Sequence, residues 1–359
     1  MRLIVTGGGT GGHIYPALSI AQALQKRFPD GEILYIGTKK GLESQVVPSV
    51  GIPFRTVEIE GLNRSSRIQA LRSSMAVPSA LRQAWRIIHE FNPNVIVGTG
   101  GYVSFPVVLA GTFFDCRTYI HEQNAFPGLT NRLLSKRVDA TLLTFPEARV
   151  WLKGRRIIET GLPVRSEFLQ IDRYAARKEL NLHPDFFTLL VFGGSLGAQS
   201  INRTVQQLMD RYINDPIQVI WITGKGHHES IAETLSAEMK NKVQIYPYFL
   251  AMEKAMAAAD LVICRSGAGT LSELAIVGLP AVLIPYPLAT GDHQMYNARA
   301  FEQKQAAVVI SDAALSVDEL HQAIEEIRNR PERLSQMREN MSSLARPDAI
   351  DGILREITS

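Results

Sequence analysis

Residues 264–297 read CRSGAGTLSELAIVGLPAVLIPYPLATGDHQMYN. Just before them, Leu261-Val262-Ile263 is an apolar run that predicts a buried parallel strand ending at Cys264-Arg265. Ser266-Gly267-Ala268-Gly269 predicts a turn whose two glycines are free to take positive φ, so that backbone can approach a ligand closely. Thr270-Leu271-Ser272-Glu273 then opens a helix with Leu271, Leu274 and Ala275 facing inward. Gly278 ends it, Pro280 prevents its return, and Ala281-Val282-Leu283-Ile284 is a second strand.

Strand, glycine turn and helix together form an anion site. The first helical N–H groups lack an internal partner, and the positive end of the helix dipole faces the turn. A diphosphate fits there without a metal. Glu273 has two readings. It closes a T-x-x-E capping box with Thr270 and needs no ligand, or its carboxylate accepts hydrogen bonds from ribose hydroxyls beyond the phosphates. After Pro285, the polar segment Thr290-Gly291-Asp292-His293-Gln294 leaves a strand's C-terminal end, where open α/β sheets bind their ligands.

The same alternation runs through the whole chain, and its 359 residues suit about two domains. Strand-like runs at 3–6, 33–37, 56–59, 95–98, 118–121 and 140–144 alternate with helical patterns. A second set follows at 187–192, 219–223, 243–246, 261–264, 281–285 and 306–310. Each set opens on a strand and a glycine loop: Gly7-Gly8-Gly9-Thr10-Gly11-Gly12, then Gly193-Gly194-Ser195-Leu196-Gly197. The predicted fold class is therefore α/β, with two Rossmann-like domains facing a cleft: 1–162, 163–342, and a terminal helix at 343–359 able to pack back on the first domain. The linker falls near Gly161-Leu162-Pro163-Val164.

The totals exclude several classes. A net charge of +3 makes no case for nucleic acid. Two cysteines far apart, Cys116 and Cys264, suit a reducing compartment and argue against a disulfide scaffold or a cysteine-built metal site. Glycines interrupt the apolar start that a signal peptide would need, and no run of about twenty apolar residues spans a membrane. The expectation is a cytosolic protein able to touch a membrane.

The first loop fits G-x-G-x-x-G at Gly7, Gly9 and Gly12, ahead of a helix predicted over 16–28. Dinucleotide binding also needs an acid at the tip of the second strand, and that strand ends Ile36-Gly37-Thr38-Lys39-Lys40. His13 in place of lysine excludes a Walker loop. His13 itself either caps the helix or bonds a neighbouring carbonyl, or acts as a general base, its ordinary pKa lying near neutrality. Gly98-Thr99-Gly100-Gly101-Tyr102 is a third glycine turn, in which Tyr102 reads plainly as a surface aromatic. His121-Glu122-Gln123-Asn124 places four hydrogen-bonding side chains at a strand tip, a pattern that points to function, and it lacks zinc spacing.

Residues 64–90 carry a different signal. Ile68, Leu71, Met75, Leu81, Trp85 and Ile88 recur at helical spacing, interrupted at Pro78, among Arg64, Arg67, Arg72, Arg82 and Arg86. This predicts a helix pair, either packed on the sheet with a solvated basic face or resting on anionic lipid, with Phe113-Phe114 in the same patch.

With GGGTGGHIYPAL, GTGGYVSFP, HEQNAFPGLTN, FGGSLGAQSIN and CRSGAGTLSELAIVGLP all in view, the chain resembles the MurG family nearly end to end. These are bacterial inverting transferases of GT-B architecture, which move N-acetylglucosamine from UDP-N-acetylglucosamine to the undecaprenyl-linked muramoyl-pentapeptide of peptidoglycan synthesis. The resemblance implies donor contacts at Thr10, Gly11, Gly12, Asn124, Arg165, Ser195, Phe249, Ala268, Gly269, Thr270, Leu271, Ser272, Glu273 and Gln294. It implies an acceptor side of His13, Tyr102, His121, Glu122 and Asn131, with His13 the leading base and Glu122 the second. It also implies a peripheral place on the cytoplasmic face of an anionic membrane. No Asp-x-Asp pair occurs to hold a nucleotide-bound cation, so no metal or other cofactor is expected, and leaving-group charge falls on amides and the helix dipole. Two alternatives remain at this point: a UDP-sugar epimerase of the same fold, and a non-catalytic nucleotide-sugar binder.

Overall fold

The structure, a computed structural model, describes residues 1–60, 67–194 and 197–359, with backbone alone for 67–75. It forms two compact units, Met1–Pro163 with Pro347–Ser359, and Val164–Arg346. Among the described residues the first unit holds seven strands: β1 (Arg2–Thr6), β2 (Glu32–Gly37), β3 (Phe54–Thr56), β4 (Val95–Gly98), β5 (Arg117–Glu122), β6 (Ala140–Leu143) and β7 (Ile157–Glu159). They pair in the order β3-β2-β1-β4-β5-β6-β7, every ladder parallel. The second unit holds six: β8 (Phe187–Phe192), β9 (Ile217–Ile222), β10 (Val243–Tyr246), β11 (Leu261–Cys264), β12 (Ala281–Leu283) and β13 (Ala307–Val309). Their order is β10-β9-β8-β11-β12-β13, again all parallel.

The central strands are largely apolar because both faces of each sheet are covered. In β1, Leu3 and Val5 point to one face, where the Gly11–Arg27 helix packs Ile14, Ala17, Ala21 and Leu24. Ile4 points to the other, against Ala84, Ile88, Val103 and Val107. In the second unit Leu189, Val191, Val219 and Ile263 bury against Ile201, Val205 and Leu208. The buried Trp221 indole there donates to Asn202 Oδ1 at 3.0 Å, so its one polar atom is satisfied.

Several local expectations are corrected. The first helix begins at Gly11, not at Pro16; a proline early in a helix removes a single bond, and the helix tolerates it. The pair expected over 64–90 is one helix, Arg67–Phe91, with Pro78 inside it. Burial of Ala80, Ala84, Ile87 and Ile88 offsets the lost bond. Strand β3 lies at Phe54–Thr56 instead of 56–59, and β7 is additional. Both are three-residue edge strands, half-exposed, without the apolar run that reveals a buried strand. Neither Gly267 nor Gly269 takes positive φ: the first is extended at φ −65° and the second lies inside the helix.

The last helix, Ala349–Thr358, returns to the first unit and packs beside the Gly11–Arg27 helix. Ile353, Leu354 and Ile357 enter that core, and Tyr119 Oη donates to the Glu356 carbonyl at 2.8 Å. Arg156 pairs with the Glu356 carboxylate at 2.5 Å. A fully buried isoleucine truncated to alanine costs about 3 kcal/mol, so Ile357→Ala should lower the thermal midpoint of unfolding followed by circular dichroism. An unchanged midpoint would show that this helix is not part of the core.

Candidate active site

In both sheets the chain leaves neighbouring central strands in opposite directions, after β1 and β4 in one unit and after β8 and β11 in the other. Ligands of open α/β sheets bind outside the strand ends at such a switch point. Of the residues singled out from the sequence, His13 follows β1, Tyr102 follows β4 and the Ala268–Glu273 segment follows β11.

In the second unit, β11 ends on Cys264, and Arg265 fastens the strand tips together. Its guanidinium donates to the carbonyls of Ile284 and Pro285 at 3.0 and 3.1 Å and to Ser200 Oγ at 3.1 Å, and it pairs with Asp312. Gln294 Oε1 accepts from the amides of Ser266 (3.2 Å) and Tyr286 (3.0 Å), Ser266 Oγ donates to the Gln294 carbonyl, and Asn297 Nδ2 donates to the Ser266 carbonyl. The turn is therefore rigid before any ligand arrives.

Gly267 is the N-cap of the Ala268–Val277 helix, and no side chain caps it. The helix thus starts two residues before Thr270, which removes the capping-box reading of Thr270 and Glu273. The amides of Ala268, Gly269 and Thr270 have no intrahelical acceptor. A Cβ at Gly267 or Gly269 would meet nothing within 4 Å, so the backbone at these two positions borders open space. Glu273 stands one turn on from Gly269, on the same face. Burial, eased by Arg165 and aggravated by Glu253, pushes its carboxyl up to about 7. Arg165 lies 3.6 Å from the Glu253 carboxylate and stacks over Phe168. Phe249 packs on Tyr246 with ring centroids 4.8 Å apart. Ser195 lies outside the described residues, between Gly194 and Gly197.

In the first unit the glycine loop after β1 is held from beneath. Tyr35 Oη donates to the Gly7 carbonyl at 2.7 Å. The fully buried Glu43 accepts from the amides of Gly9 (3.3 Å) and Thr38 (3.1 Å) and from Thr38 Oγ1 (2.7 Å). A carboxylate already takes the Gly9 amide of this loop. Sequence reading missed Tyr35 and Glu43: one is a strand residue among apolar neighbours, the other a lone acid six residues beyond β2.

His13 is the third residue of the first helix and is half-buried. Its Nδ1 lies 3.0 Å from the Thr99 carbonyl and 3.1 Å from Gln123 Oε1, and its Nε2 has no partner among the described residues. It therefore does bond a neighbouring carbonyl, through one nitrogen only. Gly100 takes φ +105°, and a Cβ there would come within 2.8 Å of His13 Nδ1, so the glycine turn makes room for the imidazole. Tyr102, half-buried, lies beside Gly9. Glu122 is saturated: Oε1 accepts from the Asn124 amide and side chain, Oε2 from the Gly128 amide and Asn131 Nδ2. His121, Glu122, Gln123 and Asn131 are all buried, and Asn131 Oδ1 has no partner among the described residues. Thr10 and Gly12 are exposed at the start of the first helix.

Known proteins resemble this chain along nearly its whole length. The glycosyltransferase family 28 N-terminal domain matches residues 3–143, and the family 28 C-terminal domain matches residues 188–353. A UDP-N-acetylglucosamine–N-acetylmuramyl-(pentapeptide) pyrophosphoryl-undecaprenol N-acetylglucosamine transferase of Desulforamulus reducens is 44% identical over 99% of this chain and 97% of its own. The protein of the same name from Listeria monocytogenes is 38% identical over 100% and 99%. The crystal structure of Acinetobacter baumannii MurG superposes with a TM-score of 0.85 at 27% identity, covering 99% of both chains.

The Glu273 carboxyl gives a test that needs no ligand. Its folded value lies above the ordinary 4.5, so the stability it allows is complete below that value and is lost as pH rises through about 7. Glu273→Gln removes this loss. The variant should be more stable than the native chain at pH 8, by up to about 3 kcal/mol, and closely matched at pH 4 in denaturant titrations. Equal stabilities at both pH values would contradict the buried environment assigned to this carboxyl.

Proposed function

We propose a division of labour for the residues of this chain, which belongs to glycosyltransferase family 28 and, within it, to the MurG transferases. The chain is a UDP-N-acetylglucosamine-dependent glycosyltransferase of GT-B architecture. It moves N-acetylglucosamine onto undecaprenyl-diphospho-N-acetylmuramoyl-pentapeptide, the lipid I to lipid II step of peptidoglycan synthesis. We assign residues to that reaction chiefly from the uncapped start of the Ala268–Val277 helix, with open space beside Gly267 and Gly269 and Glu273 one turn further on.

The second unit takes the donor. The amides of Ala268, Gly269 and Thr270 and the helix dipole hold the diphosphate, with Ser195 and its glycine loop adding donors. Glu273 accepts from the ribose hydroxyls, with Leu271 and Ser272 lining that helix face. Phe249 borders the uracil, while Arg165 and Gln294 close the rim. To the first unit, residues 1–162, we assign Thr10, Gly11, Gly12 and Asn124 for the donor and Tyr102 for the acceptor, with His121, Glu122 and Asn131, all buried, supporting the acceptor side from beneath. The C4 hydroxyl oxygen of the muramoyl sugar attacks the anomeric carbon, and the bond from that carbon to the diphosphate oxygen breaks with inversion. UDP leaves with the bonding pair, and the hydroxyl proton passes to His13 Nε2. We prefer His13 to Glu122 because the Glu122 oxygens are already taken by four donors. Charge on the departing UDP is met by fixed amides, with no metal in the step.

We also place the first unit on a membrane surface at the cytoplasmic face. Among the described residues no helix is long and apolar enough to cross a membrane. Trp85, 44% exposed, and Phe113, 59% exposed, lie against each other with Phe114 beside them, and Arg82 and Arg86 are exposed on the same helix as Trp85. Exposed aromatics beside cations suit an anionic interface. Arg64 falls outside the described residues, as do the side chains of Arg67 and Arg72.

Mass spectrometry of a reaction with UDP-N-acetylglucosamine and the lipid-linked muramoyl acceptor should show UDP and the disaccharide lipid in equal amounts, undiminished by EDTA. Loss with EDTA and recovery with magnesium would overturn the metal-free step. Glu273→Gln should raise the KM for the donor about tenfold or more with a smaller change in kcat; an unchanged KM would remove Glu273 from the ribose. In flotation with phosphatidylglycerol vesicles, the native protein should rise with the lipid, and Trp85→Ser with Phe113→Ser should stay behind. Equal flotation of both would dispose of the membrane face.

A further inference from the structure

Beneath His13 runs a chain of hydrogen bonds whose proton positions are set by backbone carbonyls, which can only accept. Gly161 C=O lies 2.9 Å from His121 Nε2, so that nitrogen carries the proton and His121 Nδ1 is left as an acceptor. His121 C=O lies 3.0 Å from one amide end of Gln123, which must therefore be the Nε2 end, and the second hydrogen of that nitrogen goes to His121 Nδ1 at 3.1 Å. Gln123 is then forced to present Oε1 to His13 Nδ1, 3.1 Å away, beside the Thr99 carbonyl at 3.0 Å. Both groups facing His13 Nδ1 are acceptors, so His13 carries its proton there and its Nε2 lone pair stays open. Gln123 and His121 are buried, and burial holds His121 down at about 4, neutral, as its acceptor role requires.

We propose that Gln123 is a positioning residue that sets the tautomer of His13, with His121 and the Gly161 carbonyl fixing the orientation of the Gln123 amide in turn. This deepens the reading of His13 as the base and rests on it: only the Nδ1–H tautomer can take a hydroxyl proton on Nε2. His121 and Gln123 then serve the acceptor reaction from below, without touching the acceptor.

The test pairs two substitutions with a direct view of the imidazole. Gln123→Met keeps the volume and loses every hydrogen bond. Gln123→Glu keeps an acceptor for His13 Nδ1–H but buries a charge and loses the donor to His121. Side-chain nitrogen-15 NMR, with the His13 signals identified by their absence in His13→Gln, should show the Nδ1–H tautomer in the native protein and a shift toward Nε2–H in Gln123→Met. In the same variant kcat should fall about a hundredfold, the scale of a positioned general base, with the donor KM within about twofold. Gln123→Glu should be the less stable variant in thermal unfolding and the more active one, the reverse of the order that a purely structural role gives. A native His13 already in the Nε2–H form overturns the proposal without any variant. So does a tautomer unchanged in Gln123→Met, which would leave the Thr99 carbonyl sufficient. A changed tautomer with native turnover overturns His13 as base and leaves the hydrogen-bond chain standing, so the two failures are distinguishable.

Discussion

Two central strands leaving their sheet in opposite directions is the constraint on which the rest of each unit depends. Between β1 and β4, and between β8 and β11, the connecting segments turn away from each other and leave a gap at the strand ends. Among the described residues, His13, Tyr102 and the Ala268–Thr270 amides sit on a loop or first helical turn at such a gap, and Glu273 lies one turn further along its helix. The strands beneath are largely apolar on both faces, and β5 ends on buried polar groups, His121 and Glu122. Rigid cores hold short loops, and the loops hold the reacting groups.

The two units use the same gap differently, and electrostatics explains the difference. In the second, the helix at Ala268 starts without a cap, so its amide donors and dipole are unspent. In the first, the glycine loop is already answered by Glu43 and Tyr35. Both the Gly11–Arg27 and the Ala268–Val277 helices start without a side-chain cap, and the units differ in that a buried carboxylate takes the Gly9 amide of the first glycine loop. The raised Glu273 carboxyl belongs to the same logic: a desolvated acid is costly in the empty protein and is relieved when hydroxyl donors arrive.

Much of this was legible in the sequence. Alternation of apolar runs with helical periodicity predicted two parallel-sheet domains, and strand-glycine-helix junctions marked where ligands bind. Short edge strands such as β7 escaped because three half-exposed residues carry no periodic signal. The Arg67–Phe91 helix was expected in two pieces because Pro78 reads locally as a break, whereas burial along the same helix holds it together. The capping box failed for a similar reason: T-x-x-E is a local pattern, and the helix began two residues earlier.

The sequence by itself determined the fold class, the family resemblance and the candidate residues, because hydrophobic period and glycine placement are properties of neighbours along the chain. Only the tertiary structure decided how those residues are used. His13 and Gln123 are 110 positions apart, and Gly9 and Glu43 are 34 apart. Which nitrogen of His13 is open, and which loop amide is already taken, depends on carbonyls and carboxylates brought from distant parts of the chain. Hydrogen bonds and desolvation act over a few ångströms of space, and linear order does not encode that distance.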